Sequence, residues 1–140
     1  PMIKELVNDA ELLSTPCVEA TAEDAAIAAD LLDTLASLDD AACLAANQIG
    51  HAVCVVAYLD DDENAHVMYN PKMSRALRPF KTIEGCLTVE GESKVTRYDK
   101  ITVAYQELSG GALVARKREF EGWTAQIIQH MIDHCKGKLV

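Results

Sequence analysis

The last stretch of the chain, residues 122–137, constrains the fold more than any other part of the sequence. Its apolar side chains recur at helical spacing and cover most of the helix circumference, so little of this helix can face water. Gly122 stands where the helix would begin, and Gly137 stands where a helix C-terminal glycine is usual. The pattern therefore predicts a helix buried in the middle of the fold. Its main stripe comprises Trp123, Ile127, His130 and His134, with Ile128, Ile132 and Cys135 beside it.

Two histidines on this helix, His130 and His134, have the spacing of a metal site. Residues four apart lie on one face about one turn apart, roughly 6 Å along the axis, so both imidazoles can point at one ion. The thiol of Cys86 could complete a three-ligand set with a fourth position open to water, as in catalytic metal sites. The alternative is a pair of histidines that only packs in the core. Met131 stands where sites of the HExxH type carry a glutamate that handles the proton of the water.

Length, charge and cysteine content narrow the class of protein. A chain of 140 residues supports a single domain spanning residues 1–140. The net charge of -9 disfavours attraction to nucleic-acid phosphates. No apolar run approaches a membrane span, and the first residues lack a signal-peptide pattern, so we expect a cytoplasmic, soluble protein with no membrane partner. Five cysteines, an odd number at irregular spacing, indicate reduced thiols rather than a disulfide framework.

The remaining segments predict one further helix and several strands. Thr21 and Asp24 resemble a capping box ahead of an amphipathic helix over residues 22–38. Residues 109–111 (SGG) indicate a hairpin, and Asn70-Pro71 is expected to end a strand. The sequence therefore predicts an α+β fold, in which antiparallel strands pack around a central C-terminal helix with an amphipathic N-terminal helix. The predicted strands or extended segments are residues 53–59, 65–69, 73–81, 95–107 and 112–120.

Three short motifs in this order give the chain a specific resemblance to a known family. They are residues 44–50 (LAANQIG), residues 84–88 (EGCLT) and residues 129–134 (QHMIDH). Together they resemble the signature motifs of peptide deformylase, the metallohydrolase of protein maturation that removes the formyl group from N-formylmethionyl peptides. Residues 69–71 (YNP) and Arg97 resemble further family features. The resemblance runs from the first predicted helix to the C-terminus.

The resemblance implies a role for each matching residue. Cys86, His130 and His134 would hold one divalent metal ion, most typically Fe(II), which Ni, Co or Zn readily replaces. The substrate would be an N-formylated peptide or the N-terminus of a nascent chain. The Gln48 amide and the backbone N–H of Leu87 would stabilise the developing oxyanion. Glu84, paired with Arg97, would fix the loop that carries Cys86. Asp133 would contact the side chains around the metal ligands without binding the metal, or would take part in the packing of its own helix.

Met131 is the main departure from the family pattern, because the family has a glutamate there that moves a proton during hydrolysis. A thioether cannot do this, so we expect very low deformylase activity. The alternatives are a non-catalytic relative, natural or engineered, that binds metal and formylated peptides, or a metal-binding domain with another partner.

Three further departures are smaller. Ala41 and Cys43 replace family glycines, which narrows the peptide cleft. Gln126 places a polar side chain where the family lines its methionine pocket. The chain ends where many members add a C-terminal helix that docks on the ribosome, so that contact is not implied.

Overall fold

The computed structural model describes residues 2–140 and shows three α-helices and five strands within them. Two short 3-10 helices span Ala22–Asp24 and Ala46–Ile49. The predicted α+β class is confirmed. The helices are α1 (Ala10–Leu13), α2 (Ala25–Ala36) and α3 (Gly122–Cys135), and the strands are β1 (Cys43–Ala45), β2 (Val55–Leu59), β3 (Ala65–Gly85), β4 (Glu92–Ser109) and β5 (Ala112–Glu121).

The five strands form one antiparallel sheet in the order β1-β2-β3-β4-β5, so each strand pairs with the next one in the chain. The predicted hairpin between β4 and β5 is confirmed, since Ser109 pairs with Ala112 across the two glycines. Gly110 and Gly111 both have positive φ (58° and 80°), as tight hairpins of this twist require. This arrangement brings the end of β3 next to α3. Glu84 and Gly85 are the last residues of β3, and Cys86 follows them.

The expected strand end at Asn70-Pro71 is wrong, because β3 continues through it to Gly85. The pairing of β3 with β4 shifts register between Tyr69 and Lys72, and Asn70 adopts a left-handed conformation (φ 54°) there. The Asn70 side chain accepts from Ala20 N and donates to Ala20 O. These contacts hold the strand through a bulge instead of ending it.

Helix α3 is the centre of the fold, as its apolar circumference predicted. Ile127, Ile128, Ile132 and Cys135 are buried in one cluster with side chains from all five strands. Helix α2 covers a second cluster on the other side of β2. Trp123 is the exception to the predicted stripe: it is 60% exposed. It lies in the first turn of α3 on the side that stays exposed, whereas Thr124 and Ala125 of the same turn are buried.

Helix α2 is shorter than the predicted helix over residues 22–38. The capping box at Thr21 and Asp24 is present, but it caps a 3-10 turn that leads into the α-helix at Ala25. The helix ends at Ala36, and Leu38 lies beyond it while still packing against the cluster under α2. In the described residues no helix is both long and apolar enough to span a membrane.

Three of the five cysteines meet where the N-terminal loop crosses the end of α3. The Cys17 N–H donates to the Cys135 carbonyl oxygen at 2.9 Å, and the Cys54 thiol donates to the Cys17 carbonyl oxygen at 3.6 Å. All five thiols are free, as predicted. The loop is thereby held against the helix that carries both histidines.

Gly137 should be the glycine most sensitive to substitution. Its φ is +76°, and an added Cβ would lie 2.6 Å from the Ser14 carbonyl oxygen, whereas Gly111, at φ +80°, has open space around it. We expect Gly111→Ala to lower the free energy of unfolding by about 1 kcal/mol, because alanine disfavours the left-handed backbone. Gly137→Ala should lower it clearly more, because the added Cβ also clashes with backbone atoms. Urea unfolding of both variants in the same metal state measures this, and equal losses would contradict it.

Candidate metal centre

The three predicted ligand side chains converge on one point. Cys86 Sγ lies 3.2 Å from His134 Nε2, and His134 Nε2 lies 3.2 Å from His130 Nε2. All three atoms are within 4.8 Å of one another. The two imidazoles come from successive turns of α3, and the thiol comes from the loop after β3. The helix spacing therefore brings the rings together, and the long β3–β4 hairpin delivers the sulfur to them.

A buried carboxylate, Glu84, joins this loop to α3. It accepts from Arg97 through Nε (3.1 and 3.0 Å to the two oxygens) and through Nη2 (2.7 Å). Its Oε1 also lies 2.8 Å from His130 Nδ1, which turns His130 Nε2 towards the other ligands. Arg97 donates in addition to Asp133 at 2.7 Å. The predicted contact between Glu84 and Arg97 is thus present, and Asp133 extends it back to the helix.

The charges of this network shift the pKa values of its members. Burial opposes ionisation of Glu84, but hydrogen bonds from His130, Arg97 and Gln126 outweigh it and lower its pKa to about 2. Burial likewise opposes the charge of Arg97, yet Glu84 and Asp133 raise its pKa. Both side chains are therefore charged at neutral pH, and a buried ion pair with satisfied hydrogen bonds is a rigid support for a ligand.

The ligand atoms themselves form a charged pair in the absence of metal. Burial alone would raise the pKa of Cys86, but hydrogen bonds from His130 and His134 lower it to about 5. Burial would lower the pKa of His130, but its hydrogen bonds with Cys86 and Glu84 raise it to about 9. The sulfur is therefore a thiolate at neutral pH, which is the form that binds metals. Acid should weaken metal binding, because a metal must displace the proton from His130.

The donor set fits a divalent transition metal. One thiolate and two imidazole nitrogens lie within 4.8 Å of one another, and the outer nitrogen of His130 already has the carboxylate partner that metal-bound histidines usually have. Sulfur and nitrogen ligands of this kind suit zinc and iron among other metals. Three protein ligands would leave a position for water or substrate.

Gln48 lies beside the sulfur with its amide group held in one orientation. Its Oε1 accepts from Ala45 N at 2.9 Å, so its Nε2 faces the centre and donates to Cys86 Sγ (3.3 Å) and Thr88 Oγ1 (3.0 Å). Thr88 is the last residue of the EGCLT motif, and the sequence predicted no role for it. Leu87 lies at the mouth with its side chain half exposed. A hydrogen-bond donor is thus fixed next to the three ligands.

A cavity of about 420 Å³ opens onto Cys86 and His130. Met131 is 1% exposed and forms part of its wall, next to His130 in the chain. Gln126 also lines the cavity, and its Nε2 donates to Glu84 Oε2 at 2.9 Å. The other wall residues are mostly apolar, and they include Ala41, Ala42, Cys43, Ile83, Trp123 and Ile127.

Comparison with known proteins gives a consistent family. A sequence model described as polypeptide deformylase matches residues 4–140. A peptide deformylase from Clostridium beijerinckii is 36% identical over 140 residues, which cover 99% of this chain and all of that protein. A crystal structure of a peptide deformylase from Legionella pneumophila is 28% identical with a TM-score of 0.82, covering 99% of this chain and 83% of that one.

A more distant structure shows the same fold with a peptide bound. It is the Met-Ala-Ser complex of a class I type b peptide deformylase from Acinetobacter baumannii, 22% identical with a TM-score of 0.84. The match covers 99% of this chain and 97% of that one.

Alkylation should distinguish the two thiols that line the cavity. The pKa of Cys86 is about 5, whereas burial and then the nearby charges of Cys86 and Glu84 raise that of Cys43 to about 12. In metal-free protein at pH 7 we expect iodoacetamide to modify Cys86 at least about 100-fold faster than Cys43, because the thiolate is the nucleophile. The Cys86 rate should fall only below about pH 5, and zinc should protect it. Peptide mass spectrometry measures both sites, and a Cys86 rate indifferent to zinc would count against the assignment.

Proposed function

The chain belongs to the polypeptide deformylase family, and from that premise we propose that it binds one divalent metal ion and N-formylated peptides in the cytoplasm but hydrolyses them very slowly. Cys86, His130 and His134 would hold the ion, with Fe(II) as the native metal and Ni, Co or Zn as replacements. The peptide would be an N-formylmethionyl peptide or the N-terminus of a nascent chain.

Met131 is the observation that carries the proposal of slow hydrolysis. It is buried in the cavity wall beside His130, at the position from which the family's glutamate serves the reaction. Hydrolysis of a formamide must take a proton from water and give one to the leaving amine. A thioether is at most a weak acceptor and has no proton to give. A positioned acid–base group contributes about 10² to 10⁴ in rate, so its loss should reduce turnover by at least that factor.

The other residues of the site retain what binding and charge stabilisation need. A bound divalent ion supplies Lewis acidity, which polarises a carbonyl and acidifies water. Gln48 Nε2 can donate to the formyl oxygen once it leaves the Cys86 sulfur, and its orientation is already set by Ala45. The Leu87 N–H is the proposed second donor. Each such donor is typically worth about 10² to 10³ when charge develops on the oxygen.

The cavity supports binding of a peptide with a side chain of moderate size. Its apolar wall of Ala42, Ile127 and Met131 leads directly to the ligand atoms. The Acinetobacter baumannii relative was solved with Met-Ala-Ser bound, which shows a peptide held on this fold. We propose that the first side chain of the peptide enters the cavity while the formyl group meets the metal and Gln48.

A non-catalytic binder of formylated N-termini is the second candidate function, and the apolar character of Met131 favours it. Replacing a carboxylate by a thioether removes a buried charge without opening the cavity, so binding can persist while hydrolysis is lost. The two candidates share a site and differ only in turnover.

Restoring the carboxylate should restore hydrolysis. We expect Met131→Glu, loaded with the same metal, to release formate from a formyl-Met dipeptide about 10² to 10⁴ times faster than the unmodified chain. Met131→Gln is the matched control, because it has similar size and polarity but no titratable group, and it should remain slow. An unmodified chain that already turns over as fast as Met131→Glu would refute the proposal of impaired catalysis.

Binding should survive where hydrolysis does not. Calorimetric titration of the zinc-loaded chain with a formyl-Met dipeptide should show a saturable one-to-one interaction, and the same dipeptide without the formyl group should bind more weakly. Cys86→Ser should abolish the difference in affinity between the two peptides, since no bound metal would then contact the formyl group. Equal affinity for both peptides in the unmodified protein would argue for a different partner.

A further inference from the structure

His130 and His134 differ in the support that their outer ring nitrogens receive. His130 Nδ1 lies 2.8 Å from the Glu84 carboxylate. His134 Nδ1 is buried and has no hydrogen-bond partner among the described residues. Since His134 Nε2 faces Cys86 Sγ and His130 Nε2, its Nδ1 must carry the proton when Nε2 binds a metal. A buried N–H without an acceptor is costly, so a nearby acceptor is expected.

The only other buried side-chain atom without a partner, within residues 2–140, is Asn47 Oδ1. Asn47 already contacts His134, because its Nδ2 donates to the His134 carbonyl oxygen at 3.0 Å. Both residues are fully buried. An unsatisfied donor and an unsatisfied acceptor therefore belong to two residues that touch.

The hydrogen bond to the His134 carbonyl oxygen determines which end of the Asn47 amide is the NH₂ group. A carbonyl oxygen can only accept, so the atom 3.0 Å from His134 O must be the NH₂ group, and Oδ1 is the atom left over. The His134 oxygen also accepts from Gly137 N at 3.0 Å and from Cys17 Sγ at 4.0 Å. This oxygen therefore remains satisfied without Asn47, whereas His134 Nδ1 has no partner.

We propose that Asn47 is a positioning residue for His134: when His134 Nε2 binds a metal, Asn47 Oδ1 becomes the acceptor for His134 Nδ1–H, through a shift of the two side chains or across one buried water, and so fixes the ring. The inference rests on the metal site of the proposed function. The two histidines would then have unlike supports, a carboxylate for His130 and a neutral amide for His134. Outer partners of this kind typically change metal affinity about 10- to 100-fold.

Two substitutions separate the acceptor from the donor of the Asn47 side chain. Asn47→Leu removes both, and Asn47→Asp keeps an oxygen acceptor while losing the NH₂ group. We expect the zinc dissociation rate, measured with a chelator in excess, to rise about 10- to 100-fold in Asn47→Leu and to stay within about threefold of the unmodified chain in Asn47→Asp. If both variants lose zinc equally fast, the NH₂ contact matters and the proposal is overturned.

Proton NMR of the Co(II)-loaded protein supplies a readout that general destabilisation would not move. The shifted, exchangeable ring N–H signals of His130 and His134 should both be present in the unmodified chain and in Asn47→Asp. In Asn47→Leu only the His134 signal should exchange rapidly or disappear. A His134 signal unchanged in Asn47→Leu would also overturn the proposal.

Gln129→Leu is the matched control for the loss of a buried amide on α3. The Gln129 side chain contacts the backbone of Tyr98 and Ala125 and none of the three ligands. It should lower unfolding stability while leaving the His134 N–H signal in place. If the unmodified chain binds no metal at all, the proposed function fails; if it binds metal and Asn47→Leu holds it equally well, only this inference fails.

Discussion

The buried contact between Glu84 and Arg97 is the interaction on which the site depends. One carboxylate accepts from a guanidinium on β4, an imidazole on α3 and an amide on α3, and the guanidinium reaches back to Asp133. It therefore ties the end of the hairpin to the helix from both sides. Removing one partner of such a buried pair typically costs about 3–5 kcal/mol, because the other charge is left without compensation. The loop with Cys86 and the ring of His130 are held by the same few bonds.

Against this rigid support, the change at position 131 is local. Met131 packs among apolar residues of the central cluster, and the hydrogen bonds of the Glu84 network do not involve it. The hydrogen bonds that hold the three ligand side chains and the Gln48 amide consequently do not depend on a proton carrier at position 131. Under the proposed function, metal binding and peptide binding would thus be retained while proton transfer is lost.

Much of this could be predicted from the sequence, because the strongest signals are local. The apolar circumference of α3 predicted its central position, the two glycines predicted the last hairpin, and three motifs predicted which side chains would meet.

The predictions that failed depend on contacts between residues far apart in the sequence. Asn70 looked like a strand end, but its side chain is satisfied by Ala20, 50 residues away, and the strand continues. Trp123 fitted the apolar stripe, yet its side chain lies on the exposed side of the first turn of α3. The pairing of Gln126 with Glu84 and of Asn47 with His134 likewise needed coordinates, because polar partners far apart in sequence leave no periodic pattern.

X-ray absorption at the metal edge of stoichiometrically zinc-loaded protein tests whether Cys86, His130 and His134 bind the same ion. We expect one sulfur at about 2.3 Å and two imidazole nitrogens at about 2.0–2.1 Å from the zinc. The sulfur should be lost in Cys86→Ser, and its loss would also exclude the thioether of Met131 as the source. A first shell without sulfur, or a sulfur that persists in Cys86→Ser, would contradict it.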